Sequence, residues 1–228
     1  MIDFKKQLII TIVLLIITIL FFQFSNVDVW VENLFYNAST HTWLIDRNDK
    51  ILKIIFYTGI KKLLIALAVI MLLSLVVFRN SKIIKEYKKG LIIVILSAIF
   101  VPLIVGGLKA VTNTPCPKNT DIYGGNYPEI KVLDRYPKNF HQKKRIKCWP
   151  AGHASGGFAL LSLFFLFKSR KNKKRAIVLA MVVGWSMGLY KMMIGDHYLS
   201  HTIVTMLLAW LIIIIIARLL KSSDFTKV

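Results

Sequence analysis

Residues 202–219 read TIVTMLLAWLIIIIIARL, with five consecutive isoleucines, no acid and one arginine near the far end. Roughly 20 such residues suffice to cross a bilayer as a helix. Working outward from this run, five more of the same kind occupy about residues 7–24, 54–78, 90–108, 153–168 and 176–194. The fold class read from them is all-α: an integral membrane six-helix bundle. The second run is interrupted by Lys61 and Lys62, whose long stems are expected to snorkel to the outer interface. The fourth is short and has to be sheltered by its neighbours. No internal repeat, low-complexity linker or shift to a soluble composition divides the chain, so residues 1–228 are read as one membrane domain.

Charge orients the bundle. Lys5 and Lys6 precede the first run, and the stretch after it, Phe24 to Asp28, has no small-x-small cleavage pattern, so this run is expected to stay as an anchor. Basic clusters at Arg79 to Lys89, at Lys168 to Arg175, and at Arg218 and Lys221 alternate with the spans; by the positive-inside rule they are cytoplasmic, and so are both termini. Three segments are left outside, about 25–53, 109–152 and 195–201.

The formal net charge of +20 therefore has two parts. The cytoplasmic share is ordinary topology. The loop 109–152 is not: Lys109, Lys118, Lys131, Arg135, Lys138, Lys143, Lys144, Arg145 and Lys147 face only Asp121, Glu129 and Asp134 there. Cations on the translocated side point to an anionic partner, contact with acidic lipid headgroups being the plain alternative; no nucleic-acid partner is expected. Tyr123-Gly-Gly-Asn-Tyr-Pro128 and Tyr136-Pro137 punctuate this loop as turns, so it is read as an extracytoplasmic cap. Segment 25–53 is amphipathic and is expected to hold a helix lying at the interface, used for packing or lipid contact. Cys116 and Cys148 bracket the cap loop. Outside the cytoplasm they can be oxidised, and a bridge would stabilise the loop by roughly 3 to 4 kcal/mol in the chain-entropy model, with two free thiols as the alternative.

Three short stretches return to the outer side under this topology. Lys109 to Pro117 ends the third span, Pro150-Ala-Gly-His153 enters the fourth, and Lys191-Met-Met-Ile-Gly-Asp-His-Tyr-Leu-Ser-His201 joins the fifth to the sixth. Their order and spacing resemble the phosphatidic acid phosphatase type 2 family. Its pattern is a lysine, six residues, Arg-Pro; then Pro-Ser-Gly-His; then Ser-Arg, five residues, His, three residues, Asp. The resemblance runs from about Lys109 to His201. It implies a lipid phosphate phosphatase of the bilayer that works through a phosphohistidine, with no cofactor and no metal. Carried over residue by residue, it makes Lys109 a phosphate-binding cation, His153 the general acid and His197 the nucleophile. Gly152 and the free amides entering the fourth span suit a bound anion. Two imidazoles in different environments can take the opposite roles of acid and nucleophile.

The chain departs from that pattern in four places. Cys116 stands where the family has arginine, Ala151 where it has serine, Tyr190-Lys191 where it has Ser-Arg, and His201 where it has aspartate. Lys191 supplies charge without a fork. Arg145, Lys118 or Lys144 are candidates to fold in as the missing clamp, and Ser155 to supply the missing hydroxyl. His201 is kept as the residue that orients His197, although a neutral imidazole brings no negative charge. Asp196 is not assumed to reach the same imidazole. Cys-Pro, Pro-Ala-Gly-His-Ala-Ser-Gly-Gly and His-x-x-Ser-His together are similar to a bacterial, lipid A phosphatase-like variant of the family. Among the histidines only His197 and His201, at i and i+4, have a zinc-like spacing.

The substrates implied are lipid A phosphates, a polyprenyl diphosphate or phosphatidylglycerol phosphate. A phosphotransferase using the same intermediate and a lapsed binder of anionic lipids are the alternatives. The reading requires the rings of His153 and His197 to face each other across a phosphoryl-sized gap near Lys109.

Overall fold

The computed structural model describes residues 3–222. The tips of both termini, which the charge pattern assigns to the cytoplasm, and the side chain of Lys221 lie outside the described residues. Helix α1 spans Phe4–Phe24, α2 Val27–Glu32, α3 Lys50–Val77, α4 Lys82–Val111, α5 Gly152–Leu166, α6 Arg170–Met193 and α7 Leu199–Ser222. Among the described residues, α1, α3, α4, α6 and α7 are long and apolar enough to cross a membrane, while α5 is the shorter apolar helix. The fold is thus a membrane helical bundle.

Several helices run past the apolar stretches that announced them. Lys82 to Lys89 and Arg170 to Arg175 are helical although charged, because hydropathy marks where a helix meets hydrocarbon and backbone hydrogen bonding continues beyond it. The 15 residues of α5, at 1.5 Å each, reach only about 22 Å. It survives by being central: Ala154, Phe158, Ala159 and Leu160 to Leu163 are buried in a core with Val94 and Val101 of α4, Ala180 of α6, and Ala209 and Ile213 of α7. Small residues let it sit there. A side chain placed on Gly157 would lie 2.7 Å from the Gly184 backbone, so α5 and α6 touch main chain to main chain. By contrast, no residue of α3 is buried. Its five-residue π-helical stretch, Ile54–Thr58, offsets the first turns from the rest.

Segment 25–53 differs from the surface helix expected of it. The helix covers only Val27–Glu32, and its carboxylates point inward: Asp28 and Glu32 are buried while Trp30 and Leu34 are exposed. Asp28 accepts the Ser200 N–H at 2.8 Å and so satisfies one free amide at the start of α7. Burial raises Asp28 to about 6; burial, then Asp28 and Asp196, raise Glu32 to about 10, so Glu32 is carried as a neutral acid. The segment then forms a two-stranded antiparallel hairpin, β1 Tyr36–Asn37 against β2 Thr42–Trp43, with Tyr36 opposite Trp43. Turn and strand chemistry win over amphipathicity here because the aromatic side chains find a partner: Tyr36, Trp43 and Tyr123 of the long loop pack with centroids 4.9 to 5.2 Å apart.

The long loop between α4 and α5 lies over the bundle end that carries these segments, tied to the α6–α7 turn by Lys118 N donating to Gly195 O at 3.1 Å. Two 3₁₀ turns, Pro117–Asn119 and Asp121–Tyr123, give it shape.

Candidate active site

The turn between α6 and α7 sets the geometry. Gly195, at φ +70°, follows the last helical residues; its N–H donates to Met192 O at 2.9 Å and the Asp196 N–H to Lys191 O at 2.8 Å. This pairing closes a helix with a left-handed residue. It folds Asp196 back over the last turn of α6, where its Oδ2 accepts from Lys191 Nζ at 2.9 Å. The chain then passes His197 and enters α7, with His201 in its first turn. Two neighbours hold the turn: Trp43, whose indole lies where a Gly195 side chain would be, and the Ile45 N–H, which donates to Met193 O at 3.3 Å.

The three histidines form one chain of contacts. His153 Nδ1 is 3.2 Å from His197 Nε2, and His197 Nδ1 is 3.4 Å from His201 Nδ1. His197 and His201 are almost wholly buried. A tautomer in which His197 Nδ1–H donates to His201 leaves the His197 Nε2 lone pair directed at His153. The two rings are thus in direct hydrogen-bond contact rather than across a phosphoryl-sized gap, and an entering phosphoryl group has to part them. Burial, then the neighbouring His201, His153 and the cations Lys109 and Lys191, holds His197 well below the ordinary histidine range, so it is neutral at pH 7.

Cations gather around this chain. Lys109, at the end of α4, lies beside Gly152: a side chain on Gly152 would be 3.6 Å from Lys109 Cδ, an ordinary contact, so packing does not demand glycine there. Lys191 Nζ sits 4.7 Å over the Tyr57 ring, and Tyr57 meets the His153 ring edge-on at 4.9 Å. Asp196 Oδ1 accepts from Lys118 Nζ at 2.7 Å and from Arg47 Nη2. Burial would raise the Asp196 carboxyl, but Lys191 and Lys118 outweigh it and hold the group at about 2. Lys109 is within electrostatic reach of Asp196, Lys191 and Lys118. Four cations thus surround one carboxylate, an arrangement fit to bind a further anion.

Of the residues singled out in the sequence, Lys109, Lys118, Gly152, His153, Lys191, His197 and His201 come together. Arg145 does not join them; its Nη2 donates to Val111 O at 2.8 Å, on an orphan carbonyl at the end of α4. The Ser155 hydroxyl is turned back to Gly152 O at 2.7 Å. Lys144 contributes its carbonyl to Tyr127 Oη at 2.9 Å. Cys116 and Cys148 are disulfide-bonded, joining the two ends of the long loop with Cα atoms 5.2 Å apart. Donor atoms of Cys148, His197 and His201 lie within 4.8 Å of one another. With the sulfur in a bridge, though, the group offers two imidazoles and no thiolate, one ligand short of a zinc site's usual three.

Sequence reasoning missed Arg47, Tyr57 and the part played by Asp196. Only the last left a trace, since Gly195 after a helical run signals the reversal that returns residue 196 to residue 191.

Beside His153 a groove of about 630 Å³ runs down between α3, α4 and α5. Tyr57, Lys61, Lys109, Gly152 and His153 line its head; Leu64, Ala68, Leu72, Val94, Ala98 and Leu160 line its apolar length. Ile65, Leu72 and Ile99 on its walls are exposed, so it is open along the bundle's flank.

Lipid A 4'-phosphatase of Francisella tularensis subsp. novicida (strain U112) is 25% identical over 189 residues, covering 81% of this chain and 82% of that protein. No solved structure matches the chain. The family model of the PAP2 superfamily matches residues 90–224, which hold most of α4, the long loop, α5, α6, α7 and the three histidines in contact, and the chain belongs to that superfamily.

Proposed function

We propose that this protein is a phosphatase that removes a phosphate from a membrane lipid through a phosphohistidine intermediate. One observation carries the reading: His153 in contact with the buried His197, ringed by cations, stands at the head of an apolar groove that opens along the side of a membrane bundle. A soluble phosphate ester needs no such groove; a lipid does, because its chains must stay in an apolar medium while its phosphate meets the histidines.

In this reading His197 Nε2 attacks phosphorus. The bond to the lipid oxygen breaks and that oxygen takes a proton from the His153 imidazolium; water, giving a proton back to His153, then cleaves the N–P bond and releases phosphate. His201 keeps His197 in the tautomer that presents Nε2, and Lys109, Lys191 and the first amides of α5 receive the phosphoryl oxygens. The whole chain acts as one membrane unit, with the site on the outer face of the cytoplasmic membrane and both termini in the cytoplasm. The basic residues of the long loop favour a headgroup with several negative charges, and the similarity to a lipid A 4'-phosphatase makes lipid A phosphate the first substrate to try.

The test is phosphate release by the purified protein in detergent from lipid A, polyprenyl diphosphate and phosphatidylglycerol phosphate, without an added acceptor. His197→Ala and His153→Ala are the controls. Release by wild type alone is expected. Equal release by all three proteins removes the catalytic assignment, and release that requires an acceptor lipid turns the protein into a phosphotransferase.

A further inference from the structure

The family's two forked cations have no counterpart at their usual positions, since Cys116 is held in a disulfide and Lys191 presents a point charge. We propose that Arg47, delivered by the hairpin segment from outside the family's motifs, is the forked phosphoryl-oxygen ligand of this site. Asp196 holds it, together with Lys118 and Lys191, until a phosphate takes the carboxylate's place. The proposal rests on the phosphatase reading for its substrate, and on the contacts alone for its anion site.

Three observations support it. Arg47 reaches the residue adjacent in sequence to His197, and it shares one carboxylate oxygen with Lys118 while Lys191 takes the other. That carboxylate occupies the cation cradle as a phosphoryl group would, with two oxygens on three donors. A phosphate brings three acceptor oxygens and up to twice the charge, so it out-competes a carboxylate for the same cations. Second, exposure is graded: the side chain of Lys191 is 9% exposed, that of Lys118 29% and that of Arg47 44%. Arg47 is the member with room to swing, and Lys191 the one fixed under Tyr57 and Tyr190. Third, the hairpin does not depend on this ion pair for its seat. Trp43 against Gly195, the Tyr36–Trp43–Tyr123 cluster and the Ile45 to Met193 hydrogen bond already anchor it. A half-exposed ion pair adds little to that. A staple is therefore redundant here, whereas a fork is what the site lacks.

Inorganic phosphate serves as the probe on the purified full chain, read in two ways: as an inhibitor of turnover, and by the rise in melting temperature it causes. Losing a charge-assisted pair of hydrogen bonds should weaken phosphate by about tenfold or more in Arg47→Gln. Arg47→Lys should recover little of it, because charge without a fork is already present at Lys118 and Lys191. Asp196→Asn should tighten phosphate, the internal competitor being gone. Added guanidinium ion should restore part of the turnover of Arg47→Ala.

Phosphate affinity in Arg47→Lys and Arg47→Gln equal to that of wild type would overturn the proposal. So would Asp196→Asn binding phosphate more weakly, or wild type failing to bind it. The outcomes separate from those of the phosphatase reading. Turnover indifferent to Arg47 sinks only the fork; Arg47-dependent phosphate protection in a protein that hydrolyses no lipid sinks only the phosphatase.

Discussion

Replacing Gly195 by alanine should damage this protein more than the same change at Gly124, and the difference measures how tightly the hairpin seats the α6–α7 turn. Both glycines lie in the left-handed region, at φ +70° and +78°. An L residue there costs roughly 1–2 kcal/mol. At Gly124 nothing lies within 4 Å of the added methyl, so that conformational cost is the whole effect. At Gly195 the methyl would stand 2.4 to 2.9 Å from three atoms of the Trp43 indole, against a normal carbon–carbon approach of about 3.5 Å or more. The indole cannot rotate away freely, with Tyr36 centred 4.9 Å and Tyr123 5.2 Å from it. Forcing a methyl into such a contact costs about 1–3 kcal/mol more. Gly195→Ala is thus expected to lose about 2–5 kcal/mol and Gly124→Ala about 1–2 kcal/mol. Thermal unfolding in detergent, followed by tryptophan fluorescence, should place Gly195→Ala below Gly124→Ala by about 2–4 °C for each kcal/mol of difference. The displaced turn carries Asp196 and His197, so turnover should fall with it, by up to about a hundredfold for an ångström of misplacement. If the two variants melt together and Gly195→Ala keeps full turnover, the indole does not hold the turn.

Other expectations follow from separate contacts. Reducing the Cys116–Cys148 bridge, which spans 32 residues, should remove about 4 kcal/mol in the chain-entropy model, and an unchanged melting temperature after complete reduction would contradict that. His197 is held neutral by burial and nearby cations, so its folded value lies below the unfolded one. Its contribution is complete above about pH 6.5 and is lost as the pH falls below that, because the unfolded chain takes up the proton first. The melting temperature should therefore decline below about pH 6.5 less steeply in His197→Gln than in wild type, and the acid limb of kcat/KM should lie below 6.5; a limb above 6.5 would mean that the nucleophile is not this imidazole. Gly157→Ala should cost about 1–3 kcal/mol, because its methyl would meet the Gly184 backbone at 2.7 Å and pry α5 from α6; a variant as stable as wild type would show that these helices have slack.

How much was legible in the chain depended on the range of the interaction. Apolar runs are local, and the bilayer reads them one at a time, so the five long apolar helices and the shorter α5 among the described residues were visible in the sequence, together with the weakness of α5. Their ends were not, because hydropathy stops at the hydrocarbon edge while Lys82 to Lys89 and Arg170 to Arg175 stay helical beyond it. Motif spacing singled out Lys109, His153, Lys191, His197 and His201, which lie at helix ends or in the short α6–α7 turn, where the local register carries their side chains.

What tertiary structure alone decided is which distant groups meet. Arg47 and Tyr57 carry no local mark of function. They belong to the site only because Trp43 finds Gly195 and because a π-turn aims Tyr57 at Lys191 and His153. Arg145, equal to Arg47 by charge, caps the end of α4 instead. Segment 25–53 looked like a membrane-surface helix, and its burial pattern reversed once Asp28 had the first turn of α7 to cap. A sequence records each residue's preference for water, hydrocarbon or helix. Which cation lies against which carboxylate is settled by packing across the fold, where a few ångströms decide whether a charge is paired or spare.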